Sequence, residues 1–133
     1  MSPYWMAVLA YLIPTFPLGY FWHLKTFKKA DDDLAMYRDE VIIPFGLASM
    51  LLQALLFPHF YPKSFSTAPE DWKASAVQFG AIFGALAWSF AVLPVAAKYR
   101  MTSVGRFLGL ETAFTGLQFV IVSPLIALAL RTR

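Results

Sequence analysis

The sequence predicts an all-α membrane protein, a four-transmembrane-helix antiparallel bundle with a short interfacial helix between helices 1 and 2. Composition is the first observation: 59% of the 133 residues are hydrophobic and 14% are charged, whereas about a quarter are charged in a typical soluble domain. The second is that four long apolar windows are joined by short connections, which make consecutive helices antiparallel neighbours. The length fits a single integral membrane domain over residues 1–133.

The four predicted spans cover residues 4–24, 41–61, 74–97 and 107–130. Each is long enough, because crossing the hydrocarbon core takes about 20 apolar residues. Each should be helical, because lipid offers the backbone no hydrogen-bond partners. Ser103 is the expected N-cap of the fourth helix. Thr67 and Glu70 have capping-box spacing, which predicts that the third helix starts just before Trp72.

The distribution of basic residues predicts the orientation in the membrane. The first and third connections carry seven of them: Lys25, Lys28, Lys29, Arg38, Lys98, Arg100 and Arg106. The middle connection and the carboxyl terminus carry four: Lys63, Lys73, Arg131 and Arg133. Because Lys and Arg collect on the cytoplasmic side, we expect both termini outside, which is the periplasm if the protein lies in a bacterial inner membrane.

The segment from residue 21 to residue 40 holds nine of the nineteen Asp, Glu, Lys and Arg residues. Apolar residues recur in it at helical spacing, which predicts the interfacial helix: Phe27, Ala30, Leu34, Tyr37 and Val41. One of Asp31, Asp32 and Asp33 is expected to cap its start. The segment is interpreted either as a solvated connector or as a docking surface for a partner, formed by these three aspartates. A metal site is disfavoured, because three consecutive residues do not point to one side of a helix.

Five polar residues inside the spans form a predicted intramembrane face: Glu111, Thr115, Gln118, Gln53 and Ser49. In one interpretation they hydrogen-bond between helices. In the other, Glu111 binds a proton or a cation, since intramembrane carboxylates are costly and usually functional. The sequence suggests no basic partner for Glu111 at a similar depth. Gly80 and Gly84 form a GxxxG pattern and, with Gly46, are predicted helix-packing positions.

His23 and His59 are the candidates for binding a metal or a cofactor. They end the first and second spans, so they should lie on opposite sides of the membrane and cannot share one ion. Each is therefore only a weak candidate for the axial ligand of a haem or a chlorin. Aromatic neighbours make an interfacial belt the preferred interpretation. Cysteine is absent, and no cofactor or metal site is predicted.

Several function classes are excluded by the pattern of residues. The basic residues are scattered among apolar spans, which does not suit nucleic-acid binding. The sequence contains no nucleophile elbow, P-loop, dinucleotide fingerprint or HExxH motif. We therefore do not expect an enzyme.

Three short motifs carry a resemblance to known proteins: Gly19-Tyr-Phe-Trp-His23, Ile43-Pro-Phe-Gly-Leu47 and Phe107-Leu-Gly-Leu-Glu111. With the four-span pattern, they make the chain similar to small four-helix bacterial inner-membrane proteins of unknown function. The resemblance covers most of the chain and implies no activity or site residue.

Three functions remain as hypotheses from the sequence. The first is a non-catalytic accessory or assembly subunit, which would contact lipid and pack against other membrane subunits or against a second copy of itself. The second is a small oligomeric transporter or channel that uses Glu111 as its proton or cation site. The third is a haem- or chlorin-binding membrane protein. The first is the preferred interpretation, because the loops are small and no catalytic set is present.

Overall fold

The computed structural model describes residues 1–132, in which most residues are helical and no strand forms. The helices are α1 (Pro3–Phe21), α2 (Lys28–Asp33), α3 (Ile43–Ser64), α4 (Trp72–Ala91), α5 (Leu93–Lys98) and α6 (Val104–Leu130). A π-helical turn, Trp22–Thr26, continues α1, and a 3₁₀ turn, Pro69–Asp71, precedes α4. Four segments are long and apolar enough to cross a membrane: Pro3–Thr26, Ile43–Ser64, Pro69–Lys98 and Val104–Leu130.

The helix starts follow local chemistry that the sequence reveals in part. The prediction for α6 is confirmed, because the Ser103 hydroxyl accepts a hydrogen bond from the Arg106 backbone N–H at 3.1 Å. The predicted capping box before α4 is wrong. No side chain caps that helix, but the helix does begin at Trp72, where the spacing predicts its start. The Thr67 carbonyl accepts a hydrogen bond from the backbone N–H of Thr132 at 2.7 Å.

Helix α6 forms the centre of the packing, because it lies against both α1 and α4. The largest group of buried side chains includes Tyr11 from α1, Tyr61 from α3, Phe79 from α4, and Phe119 and Ile126 from α6. Aromatic rings fill much of this core, with Phe79 and Phe119 centroids 6.3 Å apart. Rings of this size supply most of the apolar area that holds such a core together.

Two glycines of α4 permit its close approach to α6. A Cβ atom on Gly80 would lie 2.7 Å from the Ser123 hydroxyl, and one on Gly84 would lie 3.3 Å from the Phe119 ring. Contacts this short leave no room for a larger residue. Gly46 differs, because nothing lies within 4 Å of its Cβ position; it is not at a helix contact.

Hydrogen bonds join non-helical segments at each of the two ends of the molecule. At the first end, the Thr102 backbone N–H donates to the Leu34 carbonyl at 3.0 Å, and the Thr102 hydroxyl donates to the Asp33 carbonyl at 2.6 Å. The bond from Thr132 to Thr67 lies at the second end. The first and third connections therefore meet, as the sequence predicts for segments on one side of a membrane.

The predicted interfacial helix is shorter than expected. Helix α2 ends at Asp33, and Ala35 follows with φ of 58°. A left-handed residue terminates a helix, so Tyr37 and Val41 fall outside it. The aspartates occupy the second half of α2 and do not cap its start, because the helix already begins at Lys28.

Candidate functional site

Three ionisable side chains meet at the first end of the molecule: His23, Asp31 and Glu111. The His23 Nδ1 atom lies 2.9 Å from Asp31 Oδ2 and 4.0 Å from Glu111 Oε1. One ligand atom from each residue lies within 4.8 Å of the others. We call these three residues the acid–histidine cluster.

Each member of the cluster comes from a different segment. His23 lies in the π-helical turn that ends α1, and Glu111 lies about two turns into α6. Asp31 comes from α2, which carries the chain back towards α6 after the turn at Phe27. The cluster thus brings together the end of the first long helical segment, the short helix α2 and the early part of α6.

Helix geometry selects Asp31 from the run of three aspartates. Successive residues of a helix point about 100° apart, so Asp31 is buried at 5% exposure while Asp32 and Asp33 are exposed. Asp32 accepts a hydrogen bond from the Lys28 ammonium at 2.7 Å, and this bond raises the Lys28 pKa. Of the three aspartates predicted as a docking surface, only Asp32 and Asp33 are therefore exposed to a partner, and Asp31 is not.

The cluster is only partly shielded from solvent. Side-chain exposure is 31% for His23, 7% for Asp31 and 16% for Glu111. The second Asp31 oxygen, Oδ1, is buried and has no hydrogen-bond partner within residues 1–132. Leaving a buried carboxylate oxygen without a partner is costly. The hydrogen bonds among the described residues therefore do not satisfy Asp31 completely.

Tyr37 supplies a hydroxyl to the same site. Its Oη atom donates a hydrogen bond to Glu111 Oε1 at 3.2 Å. Burial raises the Tyr37 pKa above its ordinary value, and the negative charges of Glu111 and Asp31 raise it further. Tyr37 therefore remains a neutral hydrogen-bond donor at physiological pH.

A cavity of about 450 Å³ adjoins the cluster. Seven of the side chains that line it are carboxylates, histidine, lysine or arginine: His23, Lys28, Asp31, Asp32, Arg38, Asp39 and Glu111. Four carboxylates against two permanently basic groups favour a cation over an anion in this space. Phe114 closes the deeper wall, with its ring centroid 4.8 Å from that of His23.

The other predicted polar residues form a separate network in the core. Tyr11 joins it: its hydroxyl donates to the Gln53 carbonyl oxygen and accepts a hydrogen bond from the Gln118 amide at 2.8 Å. The Gln53 amide in turn donates to the Ser49 hydroxyl at 3.2 Å. Glu111 takes no part in these bonds.

Thr115 belongs to neither group. It lines a second, apolar cavity of about 720 Å³ between α4 and α6. Small residues such as Ala81, Ala85 and Gly116 form part of its wall. The predicted polar face is therefore not one site. Gln53, Ser49 and Gln118 lie in the core network, Glu111 lies in the acid–histidine cluster, and Thr115 lies in the apolar cavity.

The two histidines differ in their surroundings. His59 is exposed near the second end of α3, and its ring lies 5.1 Å from that of Phe60. His23 contacts both carboxylates of the cluster. The expectation that Glu111 lacks a basic partner is wrong, because His23 Nδ1 lies 4.0 Å from Glu111 Oε1.

Sequence reasoning missed three participants: Tyr11, Tyr37 and the pairing of His23 with Asp31. The sequence did contain a signal for the contact of His23 with Glu111, because both residues fall near predicted span ends that the positive-inside pattern assigns to the same side. Tyr11 and Tyr37 carried no such signal, because tyrosine is common in spans and at interfaces.

No family model, curated protein sequence or solved structure matches the chain. The site must therefore be interpreted from its own geometry.

Proposed function

We propose that the chain crosses a bacterial inner membrane four times as an antiparallel bundle, with both termini in the periplasm. The outward-facing side chains support this, because many of the most exposed are large and apolar: Ile13, Phe45, Leu52, Val77, Phe90 and Val120. A soluble protein rarely exposes so much apolar surface. In this orientation the acid–histidine cluster lies near the cytoplasmic side.

We further propose that the protein is a small transporter or channel for protons or cations, with Glu111 as its ion site. One observation carries the proposal: Glu111 lines a cavity of about 450 Å³ together with three other carboxylates and His23. A carboxylate near such a cavity can exchange its ion with water. Intramembrane acids that line cavities mark ion pathways in many membrane proteins.

The chain's residues suggest how an ion is held and passed on. His23, Asp31 and Glu111 bind it, and the neutral Tyr37 hydroxyl orients the Glu111 carboxylate. The network of Tyr11, Gln53 and Gln118 lies deeper, with Gln118 about 10 Å further along α6 than Glu111. Phe114 lies between the two groups in α6, so an apolar ring must move before an ion passes.

The test is ion flux into proteoliposomes that contain the purified protein. We expect wild-type protein to move protons or a monovalent or divalent cation down an imposed gradient, and Glu111→Gln to remove that flux. Glu70→Gln is the matched control, because it makes the same chemical change at an exposed residue of the second end. Equal flux in wild type, E111Q and empty vesicles would contradict the proposal.

The second candidate is a non-catalytic accessory or assembly subunit of a larger membrane complex. The apolar cavity between α4 and α6, which we call the groove, favours it. Ala81, Ala85 and Gly116 in its wall would let a partner's transmembrane helix approach closely. Purification in mild detergent with intact-complex mass spectrometry tests it. We expect a stoichiometric larger partner, and not a homo-oligomer alone.

A pair of glycine variants makes that test specific to the groove. Gly116→Leu fills the groove, whereas Gly109→Leu adds the same side chain to α6 outside it; both Cβ positions are open. Loss of the partner with G116L but not with G109L would support the accessory function. Retention of the partner in both variants would exclude the groove as its contact.

A further inference from the structure

We propose that His23, Asp31 and Glu111 bind one divalent first-row transition-metal ion, with Zn²⁺ and Mn²⁺ as the representative cases. This inference rests on the proposed cation function and names the class of cation that its site takes. The three residues supply one imidazole nitrogen and two carboxylate groups.

The separations between the donor atoms are close to those of a metal site. The His23 nitrogen lies 2.9 Å from Asp31 Oδ2 and 4.0 Å from Glu111 Oε1. Around a tetrahedral zinc ion, ligand atoms at about 2.0–2.2 Å from the metal lie about 3.4 Å from each other. The observed distances lie on both sides of that value. Small rotations of the three side chains would therefore surround an ion without moving a helix.

The unpartnered oxygen of Asp31 is an independent observation that points to a ligand. Its side chain is 7% exposed, and Oδ1 has no hydrogen-bond partner among the described residues. Buried carboxylates are normally paired with donors or coordinate metals. An ion beside Asp31 would satisfy this oxygen, either directly or through a bound water.

Charge balance favours a dication in the cluster. Two carboxylates face one histidine, and the nearby Lys28 already donates to Asp32 at 2.7 Å. A dication with both carboxylates ionised and His23 neutral gives a site with no net charge, which suits a position beside lipid. Binding moves the Nδ1 proton of His23 to Nε2 or releases a proton to water, because only the free lone pair can coordinate.

The donor set restricts which dication is preferred. Imidazole suits zinc, copper, iron and nickel, and carboxylates add manganese, whereas magnesium and calcium prefer sites made only of oxygen. The chain has no cysteine, so the thiolate sites that select Cu(I) cannot form. Three protein ligands leave a coordination position towards the cavity, as in sites that exchange water or substrate.

Equilibrium dialysis of the detergent-solubilised protein, without a polyhistidine tag, measures the metal content directly. A His59→Gln background removes the exposed histidine that would add a weak surface site. We expect one Zn²⁺ or Mn²⁺ per chain in the presence of excess Mg²⁺ and Ca²⁺. Asp31→Asn and Glu111→Gln should each weaken binding at least about tenfold.

Asp33→Asn is the matched control, because Asp33 is exposed in the same short helix and does not line the cavity. It should bind metal as the parent does. Circular dichroism and the elution volume of each variant establish that loss of metal is not loss of fold. No saturable zinc or manganese binding, or equal loss in D33N and D31N, would overturn the inference.

The metal result and the flux result are separable. Stoichiometric metal binding without flux would retain the metal site and reject the transport function. Flux of protons or alkali cations without zinc or manganese binding would retain transport and reject the metal.

Discussion

His23 Nδ1 and Glu111 Oε1 lie 4.0 Å apart, although His23 ends the first long helical segment and Glu111 lies near the start of the last. This contact lies where the end of the first segment meets α6, at the first end of the molecule. Asp31 Oδ2 lies 2.9 Å from the same His23 Nδ1 atom, so this nitrogen also links α2 to the contact. Any function of this site therefore depends on the fold of the whole first connection.

A double-mutant cycle should detect the pairing of His23 with Asp31. We expect His23→Gln and Asp31→Asn each to lower the free energy of unfolding, by about 1–3 kcal/mol, because each leaves a partly or fully buried polar group without its partner. The double variant should lose less stability than the sum of the two single losses, with a coupling free energy of about 1 kcal/mol. Unfolding in mixed detergent micelles, followed by circular dichroism, measures all four proteins.

The control cycle uses His59→Gln with Asp33→Asn, the same substitutions at exposed positions. Its coupling should be near zero, because those side chains lie at opposite ends of the molecule. A coupling near zero in both cycles would contradict the His23–Asp31 contact.

Tyr37 should make stability depend on alkaline pH. Burial and the negative charge of Glu111 raise its pKa in the folded protein, while an unfolded tyrosine ionises near pH 10. The neutral phenol therefore makes its full contribution to the free energy of unfolding below about pH 10. That contribution is lost as the pH rises towards the higher pKa of the folded protein. Thermal unfolding from pH 8 to pH 11 should show wild type losing stability at the alkaline end, and Tyr37→Phe losing less.

Tyr99→Phe is the comparison for this series, since Tyr99 is 60% exposed at the same end of the molecule. It shows how loss of a more exposed tyrosine hydroxyl at the same end affects the stability curve, and the Y37F curve is compared with it. Identical curves for Y37F and wild type would show that the Tyr37 hydroxyl does not differ between the folded and unfolded chain.

The long helices could be predicted from sequence because length and apolarity alone determine them. The four membrane-length segments of the structure overlap every predicted span, and Ser103 caps α6 as its residue type predicts. The ends were less predictable: Thr67 and Glu70 have the right spacing for a capping box, yet a 3₁₀ turn, Pro69–Asp71, leads into α4 and no side chain caps that helix. Local spacing does not show whether the backbone between the two residues takes the capping conformation.

The site was harder to predict because it depends on a contact between three segments that are distant in the sequence. Helical spacing places Asp31 on the same side of α2 as Phe27 and Leu34. That spacing does not show that His23 and Glu111 lie opposite this side. The left-handed residue that ends the helix is Ala35, and alanine gives no sequence signal for that conformation.

Gly80 should tolerate no side chain, because α4 and α6 touch there. A Cβ atom would lie 2.7 Å from the Ser123 hydroxyl and 3.3 Å from Ser123 Cβ. We expect Gly80→Ala to lower the free energy of unfolding by about 1–3 kcal/mol, since the two helices must separate or Ser123 must rotate. Gly116→Ala on α6 should be neutral or stabilising by up to about 1 kcal/mol, because its Cβ position is open and alanine favours helix.

Thermal unfolding in one detergent compares the two glycine variants. Equal stability of G80A and G116A would mean that α4 and α6 are further apart than the structure has them. The pair separates packing from helix propensity, because both substitutions add one methyl group to a helical glycine.

Ala35 is the position where glycine should stabilise the protein and with it the acid–histidine cluster. Its φ of 58° is left-handed, which costs a residue with a Cβ about 1 kcal/mol relative to glycine. Ala35→Gly should therefore raise the free energy of unfolding by up to about 1 kcal/mol, whereas Ala30→Gly inside α2 should lower it by about 0.5–1 kcal/mol. The two variants make the same substitution at residues of opposite backbone handedness. Destabilisation by both would place residue 35 in ordinary helical conformation and extend α2 towards Tyr37.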